Sequence, residues 1–154
     1  MTVETTEFLA REREAIVAAA EAALERSQSP HYQAAGAQTV RGRLETLFDH
    51  LLKSIDARDL GPVLAYAEHV AEERFQGGYD LSEVQTAFNA LEEAVWARTL
   101  AVLDPSQLAE ALGLVTTVLG AGKDALARRY VSLAARAHAP SLDLRRLFAG
   151  TEGP

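Results

Sequence analysis

Apolar residues recur at intervals of three and four along most of this chain, the spacing of one face of an α-helix. A first helix is predicted over Thr5 to Arg26, where a narrow line of Leu9, Ile16, Ala20 and Leu24 runs among alternating glutamates and arginines. Its helix propensity is high and its core-forming surface small, so it suits either the edge of its own bundle or a partner subunit. Ser27-Gln-Ser-Pro-His-Tyr breaks the pattern. A second helix, about Ala35 to Ala57, carries Val40, Leu44, Leu47, Phe48, Leu51, Leu52 and Ile55. Asp59 caps a third, which accepts Pro62 in its first turn and turns Leu60, Val63, Leu64, Ala67, Val70, Ala71 and Phe75 inward. A fourth, ending near Leu103, presents Leu81, Val84, Phe88, Leu91 and Val95 with Trp96 on its flank.

Asp104-Pro105-Ser106-Gln107 starts a fifth helix, with Asp as cap, Pro at the first helical position and Gln placed to close a capping box. It reaches to about His138 and bears two adjacent stripes. One runs through Leu108, Leu112, Val115, Leu119, Gly122, Leu126, Tyr130, Leu133 and Ala137, the other through Ala111, Leu114, Val118, Ala121 and Ala125. One antiparallel neighbour covers one stripe, so this helix is central or shared with a partner, and a homodimer through the first or fifth helix is expected. Gly113, Gly120 and Gly122 are read as points of close helix approach. Ala139-Pro140 stops the helix, Ser141 to Ala149 is read as a short terminal helix, and residues 151–154 as a loose tail after a single domain over 1–150. No strand or internal repeat is predicted.

The segment between the third and fourth helices is the most specific. Gly77 or Gly78 supplies the positive φ of a helix C-terminus. Asp80 caps the next helix while Glu83 reaches back to the cap amide. Arg74, on the core side, is read as a tie for this hairpin, with an anion site as the alternative. The run E-R-F-x-x-G-Y-D-L-S-E-V over Glu73 to Val84, followed by an apolar helix closing on A-V-W, resembles the N-terminal helical domain of RsbR-type co-antagonists of bacterial stress signalling. The resemblance covers roughly residues 35–135. It implies a non-haem, globin-like bundle, here of five to six helices, that dimerises and passes a signal to a downstream domain or protein.

Composition narrows the chemistry. Hydrophobic residues make up 48% and aromatics 6%, which favours an all-α core of closely packed helices. A formal net charge of −7 disfavours nucleic acid and anionic membrane as partners. The chain has no cysteine, so disulfides and thiolate chemistry are excluded. No apolar run approaches the roughly 18 residues of a membrane span, and the acidic N-terminus lacks the features of a signal peptide. A cytoplasmic protein is expected.

No catalytic constellation is read from the sequence, and no cofactor or metal is assigned. Gly120-Ala-Gly-Lys123 lacks the phosphate-loop spacing and lies inside a helix. The histidines show no i, i+4 pairing. His69, which occupies the chain position of a proximal haem ligand, falls opposite its helix's apolar face. Glu92, Gln85 and Thr99 sit at the edge of the fourth helix's stripe, where a carboxylate either pairs with a cation or contacts a ligand. Tyr66, Phe88, Glu92, Trp96 and Tyr130 form the candidate ligand pocket. The leading expectation is a non-catalytic sensory and dimerisation module. A haem-binding gas sensor and a small-ligand-binding bundle are the alternatives.

Overall fold

The three- and four-residue spacing closes into seven α-helices in the computed structural model, which describes residues 4–138. They are α1 (Thr5–Arg11), α2 (Arg13–Arg26), α3 (Pro30–Ala35), α4 (Ala37–Ala57), α5 (Gly61–Gln76), α6 (Leu81–Val102) and α7 (Pro105–His138). No strand occurs among the described residues. The count exceeds the expected five to six for two local reasons. The first predicted helix is interrupted at Glu12, whose backbone leaves helical geometry at φ −94° and ψ 9°. The segment read as a break makes α3 instead, because Pro30 occupies a first-turn position where its missing amide costs nothing. The expected terminal helix over Ser141 to Ala149 and the tail at 151–154 lie outside the described residues.

α7 is the central element, packing chiefly on α5, then on α6 and α4, while α2 lies against α6 and α4. Buried Phe48, Phe88, Leu51, Leu91, Leu119 and Leu126 occupy the middle, and each such side chain contributes about 1.5–3 kcal/mol through its removal from water. At Gly122 an added Cβ would stand 3.0 Å from Val63 Cγ2 and 3.2 Å from Phe88 Cε2, so α7 presses on α5 and α6 there. Gly113 and Gly120 face open space and do not serve close approach, contrary to the expectation.

Much of the surface expected to join a partner is used internally, although Leu108, Leu112, Leu114, Ala121 and Leu133 are only half-buried and Ala137 is exposed. Leu9, Ile16, Ala20 and Leu24 are buried, and Phe8 joins them. On α7, Val115, Leu119, Leu126 and Tyr130 of one stripe and Ala111, Val118 and Ala125 of the other are buried together. Three helices around α7 cover what one neighbour could not. Leu60 does not enter the core: it caps the start of α5 and is exposed, as are Trp96, Leu100, Val102 and Val131. No helix among the described residues is long and apolar enough to cross a membrane.

Candidate functional site

The end of α5 is built by its backbone. Gly78, at φ +81°, takes the left-handed conformation that ends a helix, while Gly77 stays right-handed at φ −76°. The Tyr79 amide then donates to the Arg74 carbonyl at 3.0 Å and the Gly78 amide to the Phe75 carbonyl at 3.1 Å, the paired bonds of a Schellman motif. That motif folds the Tyr79 ring back over its own helix, and the Arg74 guanidinium lies 5.8 Å from the ring centroid. From the other side Arg43 of α4 donates to the Tyr79 hydroxyl at 2.9 Å and lies 5.7 Å from the same ring.

The chain has four tyrosines, and all of them meet here. Tyr32 of α3 packs edge-on against Tyr79. Tyr130 of α7 donates to the Tyr79 carbonyl at 3.1 Å. Tyr66 lines the same interior space as Arg43 and Arg74. Burial pushes the Tyr32 and Tyr130 hydroxyls up to about 12, against the opposing field of Arg74. Burial raises Tyr66 as well. Arg74 itself is only 6% exposed and has one carboxylate partner, Glu73, at 2.5 Å. Its hydrogen bond holds the Glu73 carboxyl below the usual range. Arg43 pairs with no carboxylate among the described residues. Arg74 thus faces a tyrosine cluster rather than tying down helix-terminal groups.

A second polar centre adjoins this cluster. Glu83 accepts from the Asp80 amide at 3.1 Å, the firm arm of the capping box whose other arm runs from the Glu83 amide to the Asp80 side chain. The same carboxylate also takes the Ser29 hydroxyl and, at 2.7 Å, His31 Nδ1. Burial alone would raise the Glu83 carboxyl. The bonds from Ser29, the Asp80 amide and His31 outweigh it and hold the group below the ordinary carboxylate range.

The residues of the expected pocket do not converge on one space. Tyr66 and Phe88 line the small chamber beneath Tyr32. Glu92 pairs with Lys123 across the α6–α7 contact at 2.7 Å, Trp96 is 39% exposed, and Tyr130 bonds at the hairpin turn. Thr99 is buried and bonds to the Val95 carbonyl. His69 is 70% exposed and reaches only Glu73, so it points away from any interior ligand. His50 stacks on Tyr66 at 4.5 Å. Burial lowers its pKa, helped by Lys53 and opposed by Asp49, and its Nδ1 is a buried nitrogen with no partner. No cluster of metal-ligating side chains occurs among the described residues. Arg43, Tyr32, Ser29 and His31 escaped the sequence reading, because residues scattered from 29 to 79 carry no local signal of meeting.

The residues that make this geometry, Arg74, Gly78, Tyr79, Asp80 and Glu83, are those of the run that resembled the co-antagonist domain. The family model of the RsbT co-antagonist protein rsbRD N-terminal domain matches residues 7–145. The chain belongs to that family. The match spans nearly the whole chain, from within α1 to beyond the end of α7, and the family is a regulatory one of stress signalling. No curated protein and no solved structure matches the chain.

Proposed function

We propose that this domain is a non-catalytic input module of a cytoplasmic stress-signalling assembly. In this reading it is a globin-like bundle that forms a homodimer and passes a change in helix packing to a downstream domain or protein. The observation that carries the reading is the form of α7. It is 34 residues long, about 50 Å at 1.5 Å per residue. Its middle is the centre of the core, its last buried residue among those described is Tyr130, and Val131 to Ala137 are no longer buried. A shift of α5 or α6 against α7 therefore displaces the end of the helix that leads out of the bundle. The dimer contact in this reading is the exposed α6 face of Trp96 and Leu100, which lie one turn apart and are 39% and 56% exposed.

Light scattering tests the reading at micromolar concentration, where a mass near twice 16.6 kDa is expected. Trp96 is the sole tryptophan, so its emission should shift to the blue as concentration rises and the monomers pair. Leu100→Glu should yield a folded monomer. A wild-type mass near 16.6 kDa across the concentration range refutes the dimer.

A further inference from the structure

Beside a chamber of about 20 Å³ lie two guanidiniums: buried Arg74, whose one carboxylate partner is Glu73, and half-buried Arg43, which bonds the Tyr79 hydroxyl and has no carboxylate partner among the described residues. Buried cations are ordinarily paired, and this chamber is otherwise walled by apolar and aromatic side chains such as Tyr66, Val84 and Phe88. At that size it admits about one water and no organic ligand. Immediately outside lies a groove of about 350 Å³, and the two spaces share three walls: Leu24, Tyr32 and Val40. Tyr32 is therefore one of three side chains between a roomy groove and a cationic end wall, and the one carried by the short α3.

Tyr32 sits on the six-residue α3, which is bounded by Gln28 at φ +54° and Gly36 at φ +89°. With ψ at 154°, Gly36 occupies a region open essentially to glycine alone. Glu83 clasps the start of α3 through Ser29 and His31. We infer that α3 is a latched lid over a binding site for a small monocarboxylate with an aromatic body. When the lid opens, groove and chamber merge, the carboxylate meets Arg43 and Arg74, and the ring lies against Tyr66 and Phe88. The rim carries Glu25 and Glu21. Arg41 neutralises Glu21 at 3.2 Å, while Glu25 adds negative charge that repels a dianion about twice as strongly as a monoanion. This inference rests on the input-module reading and gives it a ligand class. The dimer measurement above is separate, so failure of ligand binding leaves that reading standing.

Benzoate is the probe, with benzyl alcohol and inorganic phosphate as comparisons at equal ionic strength. Calorimetric titration and thermal shift of the full chain should show saturable binding of benzoate and none of the other two. Arg43→Gln, checked for unchanged helical circular dichroism, should weaken benzoate by about tenfold or more through loss of a charge-assisted contact. Arg43→Lys, which keeps the charge, should retain most of the affinity. Because binding requires the lid to open, Glu83→Gln should bind benzoate several-fold more tightly, the open state being more populated. Equal binding of benzyl alcohol, or unchanged affinity in Arg43→Gln, overturns the anion site. Unchanged or weaker binding in Glu83→Gln overturns the lid.

Discussion

Glu83→Ala removes one carboxylate that serves three jobs. It closes the capping box of α6, holds the buried Ser29 hydroxyl and pairs with His31. Losing a cap interaction costs about 1 kcal/mol. Ser29 is 7% exposed, and leaving its hydroxyl without an acceptor costs about 1–2 kcal/mol. The His31 side chain is 40% exposed, so water replaces much of its bond and it contributes least. The expected loss is about 2–4 kcal/mol, which in a domain of this size lowers Tm by roughly 5–15 °C. Urea unfolding followed by circular dichroism measures it, with Asp80→Ala as the companion variant at about 1 kcal/mol or less. The pH dependence has a fixed sign. The folded Glu83 carboxyl lies below its unfolded value of 4.5, so its stabilisation is present above 4.5 and disappears as pH falls through the folded value. The gap between wild type and Glu83→Ala should therefore narrow in acid. A Glu83→Ala loss no larger than that of Asp80→Ala, or a gap independent of pH, would refute the hub.

Three further outcomes are expected. The folded pKa of His50 lies below 6.5, so the native state loses stability as pH falls from 6.5 through that value; urea midpoints at pH 7.5 and 5.5 should converge less in wild type than in His50→Gln, and equal changes refute the burial argument. Arg58 ends α4 in the left-handed region at φ +50°, where a non-glycine side chain costs roughly 1–2 kcal/mol. After the entropy that glycine forfeits on folding, Arg58→Gly should still gain about 0.5–1 kcal/mol, and a lower urea midpoint contradicts it. Tyrosinate absorbance should rise in native protein well after it does in unfolded protein, with Tyr32 and Tyr130 ionising near 12; their neutral-form stabilisation holds below 10 and is lost as pH climbs toward 12. Superposed native and unfolded titration curves would show the tyrosines to be solvated.

Local physics made much of the architecture legible from the residues. Spacing of three and four marked the helices from Ala37 onward, and Asp80, Glu83 and the Gly77-Gly78 pair marked the hairpin, because caps and periodicity depend on neighbours a few positions apart. Pro30 misled for the same reason: a proline reads as a stop or as a first-turn residue according to what packs after it. The tertiary structure decided what distance along the chain conceals. The narrow line on the first helix and the double stripe on the last were compatible with a partner surface until α4, α5 and α6 were seen to cover them. Arg74 looked like a tie at a helix end, and only the meeting of Tyr32, Tyr66, Tyr79, Tyr130 and Arg43 gave it a different setting. Burial, charge balance and shared cavity walls are properties of residues brought together by folding, so the sequence determined most of the helices and the Asp80–Glu83 cap, while packing determined which distant residues join them at the site.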